Sequence, residues 1–467
     1  MIWFLLQKIG FWIFVALTLY FVYKCQMINL MKLYFWGMTF ATCYQFAITI
    51  WFPTKVIVLG MMVCMILYRS DRRDSPVTQV IIPLTSTFLT LLFIGDVIAY
   101  LVPGEYAQHI NKFSRIFNTN YTYITSFALL FYGCMMPSGF IKKVFPSYCL
   151  AMEVAIAFGL LHYICLKTGI EFMPILRQNG SVNLEALVEV GGSVYSRIYG
   201  VSGEPKSLGF LICPYVLVQL IMYGQDHIRY NAKYHLGMIL LGIFILINTY
   251  SSAVIINFVI ATTLILIFLP TGNLFRKIIP PIIVISLIFG TYSALTPSDS
   301  EIGQTNFITG LYERSFGRAQ DEMSSDRQER VILEHYFEDS SILSRLIGYG
   351  PAQYTFHVPG QTVGSALIPV QSGLVLTLVD FGLAGIIILL WILSILLRVL
   401  INSFQYHKIY GIAFSIAALS SFIGSLMFGS LISCFVYLML ALYAYYDSLE
   451  SEETSETSIY NNIIELK

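Results

Sequence analysis

The segment SRIYGVSGEPKSLG (196–209) brings together residues that could hold a pyrophosphate. Its glycines allow tight turns and close approach to a ligand, and Pro205 suits the first position of a following helix. The free N–H groups of such a helix would favour an anion, and two cations add positive charge. A glycine turn with cations at a membrane interface is the alternative interpretation. The residues of interest are Arg197, Gly200, Glu204 and Lys206.

A second group lies near residue 330, in a stretch with helical spacing of apolar residues. Arg327, Arg330 and Glu334 share one helix face by three- and four-residue spacing, and His335 follows. Arginine suits phosphate because its planar guanidinium donates two hydrogen bonds at once. The segment therefore indicates either a phosphate-binding helix or an ordinary surface helix with salt bridges.

Two further titratable residues stand alone. His357 follows a glycine turn and is either solvated or available for proton transfer. Asp380 falls inside an apolar segment, where a charge costs about 2.5–3.5 kcal/mol, so we expect it to line an outward cavity. Asp96 and Glu153 also fall in apolar segments, and we expect Glu153 to be structural.

The eight cysteines lack metal or pairing spacing, so we interpret them as small core residues.

The composition indicates the elements that must position these residues. Of 467 residues, 57% are hydrophobic and 12% charged, with a mean hydropathy of +0.72, whereas soluble domains carry about 25% charged residues. Apolar blocks of about 18–25 residues match membrane-spanning helices, and zero net charge argues against general nucleic-acid binding. We predict an all-α, polytopic transmembrane helical bundle of about 11–13 spans, with the N-terminus as the first span. The apolar segments lie at about 3–23, 30–50, 53–68, 77–101, 121–139, 147–167, 207–224, 235–249, 252–270, 279–295, 372–397, 409–426 and 428–446.

The orientation follows from lysine and arginine in alternate short loops, which mark the cytoplasmic side. The opposite loops, at about 102–120, 168–206 and 296–371, are then outside, and the last is long enough for a small folded structure that is partly helical. The acidic tail is predicted to be a disordered cytoplasmic segment. The predicted organisation is N-terminal helices (1–168), a first large periplasmic loop (169–206), central helices (207–295), a long periplasmic loop (296–371), C-terminal helices (372–446) and a tail (447–467).

The order of the motifs resembles one known superfamily. The pattern R-x-x-G-x-x-x-E-P from Arg197 to Pro205 stands directly before a span, and R-x-x-R precedes an amphipathic helix. LIGYGP (346–351) and a span containing VDFGLAG (379–385) follow. Together they resemble the superfamily of O-antigen polymerases and O-antigen ligases, over roughly residues 190–445.

This resemblance implies a membrane glycosyltransferase that uses undecaprenyl-pyrophosphate-linked oligosaccharides at the periplasmic face of a bacterial inner membrane. It implies that Arg197, Arg327 and Arg330 hold the diphosphate and stabilise its leaving charge, and that Glu204 orients Arg197 or contacts sugar. Asp380, His357 and His335, in that order, are the expected general bases. Neither metal nor cofactor is implied, and a chain-length regulator and a flippase are the expected partners. Gly200, Lys206, Arg314, Arg318, Tyr349 and Gln371 complete the expected substrate-binding set.

One departure from the superfamily concerns Gln371 in IPVQSGL. Ligases usually carry a histidine there, and glutamine cannot act as a general base. We therefore expect a polymerase rather than a ligase. A glycan flippase or another transporter is the alternative from a different class, and it should place charges along a cavity through the membrane depth. The arginines instead cluster in two outside loops.

Overall fold

In the computed structural model the described residues fold mainly as helices. They are residues 2–40, 52–67, 76–102, 104–106, 110–137, 139–173, 175–176, 182–183, 187–190, 193–227, 231–268, 328–360, 362–363, 366–367, 370, 372–428 and 434–446. The predicted span 279–295, the tail, and the site candidates Arg314, Arg318, Arg327 and Gln371 lie outside them.

Fifteen helices occur in the described part of the chain. They are α1 (Ile2–Tyr23), α2 (Met27–Thr39), α3 (Pro53–Leu67), α4 (Pro76–Leu101), α5 (Lys112–Cys134), α6 (Phe140–Thr168), α7 (Pro205–Gly224), α8 (Ala232–Asn248), α9 (Ser252–Phe268), α10 (Gln328–Asp339), α11 (Ile342–Ile347), α12 (Tyr354–His357), α13 (Gly373–Gln405), α14 (Ile409–Phe428) and α15 (Cys434–Tyr446).

Six of these helices are long and apolar enough to cross a membrane, which is the pattern of a membrane protein. Four shorter apolar helices accompany them within the described ranges. The six apolar stretches are Leu5–Tyr23, Val77–Leu101, Phe140–Thr168, Pro205–Gly224, Gly373–Gln405 and Ile409–Leu426.

The helices differ in how deeply they lie in the bundle. In α7, 83% of the apolar stretch is buried, against 22% in α1. The side chains of α15 from Cys434 to Tyr445 are also buried. Helices α7, α14 and α15 therefore form the centre, and α1 lies at the periphery with apolar side chains facing outward.

Close helix packing occurs at glycines, as is common where lipid supplies little hydrophobic driving force between helices. A Cβ atom on Gly209 of α7 would lie 2.5 Å from a methyl carbon of Val254 on α9. A Cβ on Gly242 of α8 would meet Val216 of α7 at the same distance. These contacts fix α7 between α8 and α9.

Acidic side chains inside the bundle have hydrogen-bond partners, as a low-dielectric environment requires. Asn120 donates to Asp96 at 2.6 Å. The hydroxyl groups of Tyr215 and Tyr234 donate to the two carboxylate oxygens of Glu153 at 3.2 and 2.9 Å. These contacts agree with the structural role that we expected for Glu153.

One helix boundary differs clearly from the sequence-based prediction, and one open point is resolved. The span expected at 121–139 belongs to α5, which begins at Lys112 because the side chain of Asn111 accepts a hydrogen bond from Ser114 N at 3.0 Å and caps the helix. Segments 235–249 and 252–270 form the separate helices α8 and α9, and Tyr250 between them has a positive φ of 47°.

The segments that precede α7 and α13 also contain short antiparallel hairpins, which the sequence analysis did not predict. Strands β1 (Ile175–Leu176) and β2 (Val182–Asn183) pair, as do β3 (Leu187–Val190) and β4 (Ser193–Ser196), before α7. Strands β5 (Thr362–Val363) and β6 (Ala366–Leu367) pair before α13. They add local backbone pairing to an otherwise helical fold.

Candidate functional site

The glycine turn, residues 197–206, leads into α7 as the sequence predicted. Pro205 is the first residue of the helix, and Glu204 is the exposed residue that precedes it. Gly200 and Gly203 have φ values of +50° and +75°, which glycine adopts without a Cβ penalty. A Cβ at Gly200 would also lie 3.3 Å from the backbone nitrogen of Gly159 on α6. Gly200 thus packs against a helix, rather than leaving room for a ligand as expected.

His162 on α6 fixes the backbone of the glycine turn. Its Nδ1 atom accepts hydrogen bonds from the backbone N–H groups of Tyr199 and Gly200, both at 3.2 Å. The ring stacks on Phe172 with centroids 4.2 Å apart, and the side chain is 1% exposed. Accepting two hydrogen bonds at Nδ1 requires that this nitrogen carry no proton. His162 is therefore a positioning residue for the turn, which the sequence analysis missed.

Arg197 connects the glycine turn to the end of α8. Its Nε atom donates to the carbonyl oxygen of Thr249 at 2.9 Å, and this bond uses one of the five N–H donors of the guanidinium. The backbone N–H of Ile198 donates to Asn248 O at 3.2 Å. The half-buried Arg197 is therefore held at the junction of α7 and α8.

Lys206 connects the glycine turn to the second predicted group. Its ammonium lies 6.0 Å from the ring centroid of Phe210 on the same helix. The carboxylates of Glu204 and Glu329 are both close enough to interact with it electrostatically. Since Glu329 lies in the first turn of α10, this helix begins beside the glycine turn.

Helix α10 carries the second predicted group. Arg330 and Glu334 form an ion pair at 2.7 Å, with side chains 58% and 53% exposed. Further along, the ring nitrogen Nε2 of His335 is 2.8 Å from the carbonyl oxygen of His357. Helix α10 therefore contacts the end of α12 through His335.

Helix α13 is interrupted in its N-terminal third. Gly382 has a non-helical backbone, with φ 62° and ψ −153°. The carbonyl groups of Val379 and Asp380 instead accept the backbone N–H groups of Tyr349 and Gly350, at 2.8 and 3.1 Å. Residues 348–352, here called the docked turn, therefore pair with the interrupted part of α13.

Asp380 is buried beneath the docked turn and is 3% exposed. Its Oδ1 atom accepts a hydrogen bond from Ala352 N at 3.0 Å, and the charge of Arg115 on α5 is close enough to act on its carboxylate. The expected outward cavity beside Asp380 is thus filled by the docked turn. This placement gives Asp380 a role in holding the turn and makes it a poorer candidate for the base.

His357 lies one helical turn beyond the docked turn. Its ring stacks on Tyr349 with centroids 4.6 Å apart and an interplanar angle of 11°. Burial, followed by the charges of Lys112 and His335, lowers the pKa of His357 to about 4, so the imidazole is neutral at pH 7. Its Nε2 atom is covered and has no hydrogen-bond partner among the described residues. Asp380 Oδ1 and His335 Nε2 both have one there, so His357 is the expected base that offers a nitrogen without a partner in that part of the chain.

The structure brings the predicted residues together in two linked groups. Arg197, Glu204 and Lys206 lie at the glycine turn, which adjoins the start of α10. The docked turn, which includes Tyr349, has three other predicted residues around it: His335, His357 and Asp380. Tyr349 is 6% exposed and is part of the packing there, which differs from the expected contact with substrate. The described residues contain no group of three or more histidine, cysteine, aspartate or glutamate side chains able to hold a metal.

Comparison with known proteins gives no assignment. No family model matches the chain, and no curated protein matches it significantly.

Proposed function

We propose that this chain is a polysaccharide polymerase of the O-antigen type. It transfers a nascent glycan from undecaprenyl pyrophosphate onto another lipid-linked oligosaccharide repeat unit. A hydroxyl group of the acceptor sugar attacks the anomeric carbon of the donor. The bond from that carbon to the diphosphate oxygen breaks, undecaprenyl pyrophosphate leaves, and the acceptor proton passes to a base.

The electrostatic interaction between Lys206 and Glu329 supports this proposal. It indicates that the start of α10, which carries Arg330, lies near the glycine turn that holds Arg197. Arg327 directly precedes α10 in the chain. Two arginine-bearing segments that are distant in sequence thus lie near each other. Converging arginines suit a diphosphate, because they stabilise the charge that develops as it leaves.

His357 is the base that the geometry favours. It has a neutral imidazole with an unengaged nitrogen, and its ring is held by Tyr349. A bound diphosphate would raise the pKa of His357 towards neutrality, because negative charge favours the protonated imidazole. An acceptor hydroxyl reaches Nε2 when the atoms that cover it move aside.

The proposed setting is the inner membrane of a bacterium, with the glycine turn and the docked turn facing the periplasm. In the proposed topology, the ten apolar helices described and the apolar segment 279–295 all cross the membrane, which would give eleven spans, within the 11–13 expected from the sequence. The proposed partners are a flippase that delivers lipid-linked repeat units and a chain-length regulator.

Gene deletion in the host, followed by gel analysis of the surface lipopolysaccharide, tests the proposal. We expect the polymer ladder to collapse to core plus one repeat unit, and wild type on a plasmid to restore it. Arg197→Ala should fail to restore the ladder at normal protein level, because the diphosphate loses a cation. As a matched control, Arg398→Ala removes an exposed arginine near the C-terminal end of α13, and this variant should restore the polymer ladder.

Other results would point elsewhere. Bare core with polymer accumulating on the lipid carrier would identify a ligase, and single repeat units trapped in the cytoplasmic leaflet would identify a flippase. An unchanged surface glycan would overturn the proposed function.

A further inference from the structure

We propose that Arg115 is a positioning residue that clamps the docked turn onto α13 and thereby holds His357 in place for glycan transfer. The part concerning transfer rests on the proposed function, and the part concerning the clamp is independent of it. Arg115 lies in the first turn of α5, outside the motifs that suggested the chemistry.

The clamp has one hydrogen bond and two electrostatic interactions. The Nε atom of Arg115 donates to the carbonyl oxygen of Ala352 at 3.2 Å. The guanidinium is also close enough to act electrostatically on the hydroxyl group of Tyr354, a residue that is 4% exposed, and on the buried carboxyl group of Asp380. One guanidinium thus binds the docked turn and lies close to the first residue of α12 and to the acid beneath the turn.

Ala352 shows why a clamp is needed at this position. Its φ is +57°, a left-handed conformation that costs a residue with a Cβ atom about 1–2 kcal/mol. Its N–H donates to Asp380 Oδ1, and its carbonyl accepts from Arg115. The peptide groups on either side of this strained residue are therefore held by the carboxyl group of Asp380 and the guanidinium of Arg115, and removing either side chain should release the turn.

The clamp connects to His357 through very little chain. Helix α12 begins at Tyr354, two residues after Ala352, and ends at His357. Because Arg115 binds Ala352 and lies close to Tyr354, it fixes the start of the helical turn that carries the imidazole. On the other side, His335 holds the carbonyl of His357, and Tyr106 N donates to Phe356 O at 3.1 Å. Release of the Arg115 contact should loosen the start of α12 while these contacts and the stacking of the imidazole on Tyr349 remain.

Hydrogen–deuterium exchange of the purified full-length protein tests the clamp directly. We compare Arg115→Gln with wild type and follow the peptides that cover residues 345–358. Loss of a charge-assisted hydrogen bond should raise exchange there by about ten- to a hundredfold. Arg115→Lys keeps the charge without the planar fork and should give an intermediate increase. Arg398→Gln should leave this region unchanged.

Glycan transfer from purified lipid-linked repeat units tests the positioning role. Arg115→Gln should lower kcat while leaving KM near the wild-type value, because the residue acts on the base and not on the diphosphate. In a His357→Gln background the same substitution should have little further effect, since both act through one group. Thermal unfolding of each variant separates this effect from a general loss of fold.

The outcomes are distinguishable. Unchanged exchange at residues 345–358 in Arg115→Gln overturns the clamp, whatever the protein's activity. Raised exchange with full transfer activity, or additive loss in the double variant, overturns the positioning role. If deletion of the gene leaves the surface glycan unchanged, the proposed function fails, and the exchange experiment still decides whether Arg115 holds the docked turn. If the Arg115→Gln protein does not accumulate, the exchange and transfer measurements are made on Arg115→Lys, and the same outcomes decide between the explanations.

Discussion

The Nδ1 atom of His162 lies 3.2 Å from the backbone nitrogen of Gly200 and accepts its hydrogen bond. This contact links the middle of an apolar helix to a turn that follows it by nearly 40 residues. Since Tyr199 N donates to the same atom, one ring nitrogen satisfies two buried N–H groups. The position of Arg197, only two residues before Tyr199, depends on these two hydrogen bonds.

Substitution of His162 should therefore disturb the glycine turn. His162→Phe keeps a ring for stacking on Phe172 but leaves two buried donors without an acceptor, at about 1–3 kcal/mol each. We expect a lower unfolding temperature and loss of the polymer ladder. His162→Asn offers an oxygen close to the place of Nδ1 and should retain more of both. Equal loss in the two variants would contradict this explanation, and thermal unfolding with a complementation gel measures it.

Gly348 should not tolerate a side chain. Its φ is +84°, and a Cβ atom would lie 2.3 Å from the backbone carbon of Asp380. Gly360 is a matched control, because it has φ +72° with nothing within 4 Å of its Cβ position. Gly360→Ala should cost about 1–2 kcal/mol from backbone strain alone, and Gly348→Ala should cost clearly more. Thermal unfolding compares the two, and similar losses would mean that the docked turn lies elsewhere.

Acidification should loosen the attachment of α12. The pKa of His357 is lowered to about 4 in the folded protein, against about 6.5 in an unfolded chain. Below about pH 6.5 the undocked segment binds a proton that the docked segment does not, so docking weakens as the pH falls towards 4. Exchange at residues 353–358, corrected for the intrinsic rate, should rise between about pH 7 and pH 5. His357→Gln should remove this dependence, and a slope that persists would assign it to another group.

Arg330 should matter for function, whereas its ion pair with Glu334 should contribute little to stability. Both side chains are more than half exposed, and such pairs contribute about 0–1 kcal/mol. Glu334→Ala should leave the unfolding temperature and the polymer ladder close to wild type. Arg330→Ala should be equally stable but should shorten or abolish the ladder, because the diphosphate loses a ligand. A ladder that is normal in Arg330→Ala would remove this residue from the proposed site.

Local sequence signals predicted the elements that begin or end at a distinctive residue. Pro205 marked the start of α7, and the three- and four-residue spacing of apolar side chains marked α10. The start of α5 was missed because the first half of that helix is polar, although Asn111 is a standard helix-capping residue. A helix-capping residue is therefore as informative as hydropathy for predicting where a helix such as α5 begins.

The contacts that build the site could not be predicted in this way. Gly382 stands two residues after Asp380 in an otherwise apolar run, and neither residue type shows by itself that α13 is interrupted there. Arg115 and His162 act on segments distant in the chain, so neither residue has a local signal. The same holds for Asp380, whose type and apolar surroundings suggested a cavity while its partner, the docked turn, fills that space.

The separation of Arg115 from Ala352 also determines an order of biosynthesis. The two residues are 237 positions apart, and at about 5–20 residues per second a ribosome needs on the order of ten to fifty seconds to reach the second from the first. During that interval the guanidinium of Arg115 lacks the carbonyl group of Ala352 as a partner. The docked turn can therefore be clamped only after the C-terminal part of the chain has been synthesised.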